Sequence, residues 1–214
     1  MVVYRGVSDM RASVMRRLLA AAAFLPVIYA GSAMADVVTA TYGDFSLSAP
    51  TPSSVFICHG FGCKFRNEVA FTNMDRAKLT QLLSAGQASA AAERRAVAAA
   101  GAWFDRRIAS AAGTQRHIAR AGMSHMNEAS QFDCIDSSRN TTSLLLVLEQ
   151  LKLLRHHRVD SPVSRGYLID GRPPHVTAVL TEKTSGLQWS VDSWTRGYGQ
   201  PPEIMRLSVW QTLD

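Results

Sequence analysis

The chain of 214 residues lacks the features that mark several protein classes. Three cysteines cannot build a disulfide framework, and 14 glycines and 8 prolines are too near average for a collagen-like or low-complexity chain. No apolar run reaches the ~20 residues that a membrane-spanning helix needs. Basic residues form no run of five or more and are not interleaved with aromatics, so nucleic-acid binding has no support despite a formal charge of +6. No internal repeat is visible. With 47% hydrophobic and 19% charged residues, the length fits one globular domain that can bury its own core.

The first thirty-five residues read as a secretory signal peptide. Arg11, Arg16 and Arg17 form a basic region, Leu18 to Tyr29 is a short apolar run, and Ala33-Met34-Ala35 puts small residues at the cleavage positions. The surroundings of Arg16-Arg17 fit a twin-arginine signal poorly. Arg5, Arg11, Arg16, Arg17 and Asp9 leave with the segment, so half of the positive excess belongs to export. Residues 36–214 are expected as one periplasmic or secreted domain without a stable membrane span, divided into a strand-and-helix part (36–130) and a catalytic core (131–214).

An oxidising compartment changes how the cysteines are read. Cys58 and Cys63 flank His59-Gly60-Phe61-Gly62, and two glycines let so short a loop turn sharply enough for a local disulfide. The bridge is expected to pin the loop's shape more than it stabilises the domain. No second ligand pair with matching spacing accompanies Cys58, His59 and Cys63, so neither a metal nor a cofactor is expected.

Val37 to Arg66 mixes short strand-like runs with Pro and Ser, which predicts strands and loops. Thr72 to Ala112 reads as two helices broken at Gly86–Ser89, the first opened by a capping box of Thr72 and Asp75. Gly113 to Gln131 is polar, and His117 and His125 are expected in solvent. Asn140-Thr141-Thr142 matches a glycosylation acceptor, yet it reads as a hydrogen-bonding cluster on an outward polar helix face. Arg155-His156-His157-Arg158 is expected at the negative pole of a helix.

The chemistry concentrates after Gln131. Asp133 and Asp136 have the spacing of a helix N-cap and its reciprocal partner, ahead of the apolar segment Leu144–Leu154. Cys134 then becomes the first helical residue, where unpaired amides and the helix dipole favour a thiolate and offer donors to an oxyanion. Two aspartates beside the sulfur oppose ionisation, so a nucleophile here needs an imidazole. After Pro162 the pattern alternates. His175–Thr181 and Gly186–Asp192 flank the turn-like Glu182–Ser185, which predicts an antiparallel hairpin. With that loop Thr181 faces Gly186 and His175 faces Asp192, with Cβ atoms roughly 5 Å apart. A slip of one residue would send the two side chains to opposite faces. Gln131 is a candidate second oxyanion donor, and Trp189, Trp194 and Tyr198 are candidates for a substrate groove or for the core.

The order Cys134, helix, Arg165, His175 at a strand start and Asp192 on the next strand resembles the transglutaminase-like superfamily, including the bacterial transglutaminase-like cysteine proteinases. The resemblance covers roughly residues 131–194 and rests on short motifs. It implies an α+β, papain-like core with a nucleophile helix packed on an antiparallel sheet, here with additional N-terminal helices. It also implies acyl transfer on a protein, peptide or cell-wall amide through a Cys134-His175-Asp192 triad and a thioester. Ile135 stands where animal transglutaminases carry Trp, and no calcium loop is evident, which argues against a calcium-dependent crosslinker. Two other readings stay open: an inactive envelope binding protein of the same fold, and a thiol-disulfide protein working through Cys58 and Cys63.

Overall fold

The computed structural model describes residues 30–43, 47–166 and 173–213. The basic region and apolar run of the expected signal peptide lie outside the described residues. Within them, five α-helices and two antiparallel sheets make an α+β fold. No helix among the described residues is long and apolar enough to cross a membrane.

Helix α1 (Ala30–Tyr42) runs through the expected cleavage positions and occupies the start of the zone read as strands and loops. Its β-branched residues favour strands, but Val37 and Thr41, like Val38 and Tyr42, are four apart and share a helix face. Val37, Thr41 and Tyr42 are buried, the Tyr42 hydroxyl meets Ser143 Oγ at 2.6 Å, and Arg139 Nε donates to Thr41 O at 3.0 Å. Tertiary packing on one stripe outweighs strand propensity here.

Strands β1 (Ser54–His59) and β2 (Phe65–Ala70) form a hairpin. Helix α2 (Asn73–Ser84) opens with the expected Thr72–Asp75 capping box, and α3 (Ala90–Ala112) ends on Gly113 in the left-handed conformation. A connector with one 3-10 turn, Met123–His125, then leads to α4 (Cys134–Gln150). The second sheet has the order β3 (His157–Arg165), β4 (His175–Glu182), β5 (Gln188–Asp192) and β6 (Glu203–Arg206), antiparallel throughout, followed by the short α5 (Leu207–Trp210).

Helix α4 is the hub of the core. Leu144 to Leu148 are buried to within 1% of full enclosure and pack among residues of β1, β3, β4 and β5. The polar stretch 140–142 faces inward rather than outward, because the neighbouring elements supply partners. Asn140 takes both main-chain groups of Cys58, its Oδ1 accepting from the amide and its Nδ2 donating to the carbonyl at 2.8 Å each. Thr141 Oγ1 lies 2.7 Å from Ser193 Oγ, and Thr142 donates to Ser138 O.

Arg155 to Arg158 likewise depart from the helix-pole expectation. Helix α4 ends at Gln150 in a Schellman-type turn, in which Leu153 N donates to Leu148 O and Lys152 N to Glu149 O. The next residues cross to Glu93 of α3, whose carboxylate accepts from the amides of Arg155, His156 and His157 and from His157 Nδ1. His157 is fully buried, and its Nε2 lies 3.1 Å from Arg94 Nη1.

Candidate active site

Asp133 and Asp136 form the expected capping box, and Cys134 is the first residue of α4. What holds this helix end is a loop that sequence spacing points to only as a bridge. Cys58 and Cys63 are joined in a disulfide, and Gly60, Phe61, Gly62 and Cys63 all take left-handed backbone conformations, with φ between 60° and 78°. Successive left-handed residues turn their amides to one side, which makes a concave anion seat. Phe61 N and Cys63 N donate to the two oxygens of Asp136 at 2.8 and 2.6 Å, and Gly62 N donates to Asp133 Oδ2 at 2.8 Å. Burial and the Asp133 charge push the Asp136 carboxyl up to about 7, against the amides of Cys63, Phe61 and Asp133. His59 is consumed by structure, its ring nitrogens lying 2.6 Å from Ala129 O and 2.6 Å from Asn67 Oδ1.

The β4–β5 hairpin brings His175 and Asp192 together by a register different from the expected one. Ala178 faces Val191 and Thr181 faces Gln188, so Gly186 belongs to the turn instead of facing Thr181. Gly186 has φ +70° and donates its amide to Glu182 O, a left-handed turn position that suits glycine. The partner of every residue moves by two, which preserves the face. His175 and Asp192 are therefore diagonal rather than opposite neighbours, and His175 Nε2 lies 2.6 Å from Asp192 Oδ2. The same oxygen accepts from Trp210 Nε1 at 2.8 Å. Sequence reasoning missed Trp210, since it reaches the site from α5 and no local pattern marks it.

An ionised carboxylate only accepts, so Nε2 carries a hydrogen and the outward nitrogen is Nδ1. His175 Nδ1 is buried and has no hydrogen-bond partner. The ring stands between two indoles, 4.7 Å from Trp194 and 5.3 Å from Trp210 between centroids. Cys134 is half-buried and is the free cysteine among the described residues, and its thiol makes no hydrogen bond to His175 Nδ1. The thiol is pushed up from its ordinary value, first by burial and then by the charges of Asp133 and Asp192. The Val176 amide and the amide of Cys134 itself oppose that shift. Val176 follows His175 on β4, so the sulfur sits at the strand end that carries the imidazole.

Gln131 is buried and its amide holds a neighbouring loop. Its Oε1 accepts from Ile118 N at 2.9 Å and its Nε2 donates to Arg116 O at 3.2 Å. His117 is not in solvent but buried, with Nε2 3.0 Å from Asp105 of α3. Among the candidate groove aromatics, Trp194 lines the cleft beside His175, Trp189 lies under the Arg94 guanidinium at 3.5 Å, and Tyr198 is exposed next to His117. Comparison with protein families, with curated proteins and with solved structures finds no match to this chain.

Proposed function

We propose that the protein is a transglutaminase-like cysteine hydrolase or acyltransferase acting on amide bonds, with Cys134 as nucleophile, His175 as general base and acid, and Asp192 as orienter. The observation that carries this reading is the unpaired Nδ1 of a buried imidazole whose other nitrogen is fixed by a carboxylate, at the strand end where the Cys134 sulfur lies. A buried imidazole nitrogen without a partner is costly, and such exceptions concentrate where a proton must move.

Burial and two aspartates disfavour a resting thiolate, so the thiol proton passes to His175 Nδ1 as sulfur attacks the carbonyl carbon. The Cys134 amide at the α4 N-terminus faces the developing oxyanion. His175 then returns the proton to the leaving nitrogen, the C–N bond breaks and a thioester remains. Water or an amine attacks it and restores the thiol. The packing of helix α4 on β4 and β5 supports this reading of the core.

Alkylation by iodoacetamide across pH tests this without a substrate. Because His175 Nδ1 takes the thiol proton as sulfur attacks, Cys134 should react faster than an ordinary free thiol on the acid side even without a resting thiolate, and His175→Ala should remove that limb, leaving one late rise. An unchanged profile in His175→Ala would reject the pairing, as would turnover retained by Cys134→Ser on a substrate that the parent cleaves. A second reading, a binding protein that keeps the fold without catalysis, draws on the raised thiol and predicts labelling no faster than an ordinary cysteine. The thiol-disulfide reading fits poorly with half-cystines that are each about 1% exposed.

A further inference from the structure

A cleft of about 150 Å³ adjoins the imidazole, lined by Arg120, Arg165, Pro174, Trp194 and Leu213 beside His175 itself. Its described lining carries two guanidinium groups and no carboxylate. An exposed arginine is ordinarily a solvated charge, but Arg120 is set apart by how it is held. Its backbone is left-handed, with φ +53°, a conformation that is uncommon for any residue with a Cβ. Its amide donates to Trp194 O at 2.8 Å, which ties its loop to the segment following Asp192. Gln131, three residues before the nucleophile, holds the same loop through Arg116 O and Ile118 N. The Arg120 guanidinium makes no ion pair or hydrogen bond among the described residues. Arg165 contributes a fixed second charge, its Nη1 donating to Trp210 O at 2.7 Å and to Leu213 O while its guanidinium lies over the Trp210 ring.

We infer that this cleft holds a substrate carboxylate close to the scissile amide, with Arg120 as its direct partner and Arg165 as a supporting charge. Planar guanidinium groups match carboxylates in two-point contact, and the wall formed by Trp194, Pro174 and Leu213 lowers the competition from water. The carboxylate is that of a chain terminus or of an acidic side chain, which share this chemistry. The proposal rests on Cys134 as the nucleophile, and it gives Gln131 a positioning role through the Arg120 loop.

The experiment compares two nearly isosteric alkylating agents on the full chain, anionic iodoacetate and neutral iodoacetamide, with the modified residue identified by peptide mapping. The rate ratio at Cys134 should favour iodoacetate, should fall about three- to fivefold in Arg120→Gln, and should recover in part in Arg120→Lys. Raising the salt concentration should lower the ratio in the parent and change it less in Arg120→Gln. A ratio that is unaltered in Arg120→Gln and insensitive to salt would overturn the anion seat even if iodoacetamide shows a fully active nucleophile. Slow labelling by both agents, unaltered in His175→Ala, would instead overturn the nucleophile and the seat with it.

Three further probes separate the sources of the carboxylate. N-iodoacetyl-glutamine bears a terminal carboxylate, N-iodoacetyl-glutamic acid α-amide a side-chain one, and N-iodoacetyl-glutamine α-amide none. Preference for either charged isomer over the neutral probe, lost in Arg120→Gln, supports the seat and names the source. Equal rates for all three reject it.

Discussion

The two ends of α4 are built from the same parts and put them to different use. Each end sets a buried carboxylate under main-chain amides of a neighbouring loop, Asp136 under Phe61 and Cys63 at one end, Glu93 under Arg155, His156 and His157 at the other. Each also carries a buried imidazole bonded to a carboxylate. At the C-terminal end both nitrogens of His157 have partners, Glu93 and Arg94. At the N-terminal end one nitrogen of His175 has none, and a thiol sits close by. Enclosure and ion pairing are thus common to both ends, and the unsatisfied nitrogen is what separates a structural pair from a candidate catalytic one.

Exchanging each imidazole for alanine is the strongest way to break that comparison. His175→Ala should slow alkylation of Cys134 at neutral pH by at least ~100-fold, and it should also cost stability, although Asp192 keeps Trp210 Nε1 as a partner. His157→Ala should cost stability alone. It removes one partner of a buried pair and costs about 3 kcal/mol in urea unfolding, with the alkylation rate of the folded fraction unchanged. If both variants lose stability alike and neither alters labelling, the two ends are equivalent and the enzyme reading falls.

The disulfide sharpens the same contrast, because it braces one end only. Cys58→Ser with Cys63→Ser releases a loop of four left-handed residues, three of which donate their amides to Asp133 and Asp136. Closing so short a loop is worth about 2 kcal/mol in unfolded-state entropy, and that loss should appear in unfolding. Cys134 labelling should slow in the same variant, since the capping carboxylates no longer have a fixed seat. A stability loss with labelling untouched would confine the bridge to a purely structural role.

The two carboxylates should also give opposite responses to pH. Asp136 is raised to about 7, so the folded state holds a proton that the unfolded state releases. Its contribution is fully present below the ordinary aspartate value of 3.8 and is lost as pH rises through about 7. For Glu93, burial pushes the carboxyl up, but His157 and the amides of His156 and Arg155 outweigh it and hold it below its ordinary value of 4.5. That contribution is present above 4.5 and lost as pH falls through the lower folded value. Asp136→Asn should therefore flatten the decline in unfolding free energy between acid and neutral pH, an effect of at most about 4 kcal/mol, and Glu93→Gln should flatten only the acid limb.

Legibility from sequence followed the range of the interaction. The α4 capping box and the Cys58–Cys63 bridge are set by residues three and five apart, and both were readable. The hairpin was readable as to face but not as to register. Alternation fixes the parity that puts His175 with Asp192, whereas the turn conformation of Gly186 decides which residues stand opposite. Contacts spanning distant segments left no local mark. Trp210 on Asp192, Asn140 on the Cys58 main chain, and Glu93 beneath 155–157 each join elements that only the fold brings together. The same cause misplaced His117, whose polar neighbours in sequence suggested solvent while Asp105 of α3 waited in the folded chain. Helix α1 shows the reverse error, with strand-forming residues drawn into a helix by the face they bury.

The smallest expected effect isolates the C-terminal end from the chemistry. Lys152 follows the last turn of α4 with φ +58°, where the Schellman bonds of Lys152 N and Leu153 N require a left-handed residue. A side chain with a Cβ resists that conformation, and glycine adopts it without strain. Glycine also adds freedom to the unfolded chain, which takes back part of the gain. The side chain of Lys152 is exposed, so little packing is lost in exchange. Lys152→Gly should therefore raise unfolding free energy by about 0.5 to 1 kcal/mol, and Cys134 should alkylate at the parental rate. A change in that rate would mean that strain at one end of α4 reaches the other through the helix, and the two ends would no longer be separable.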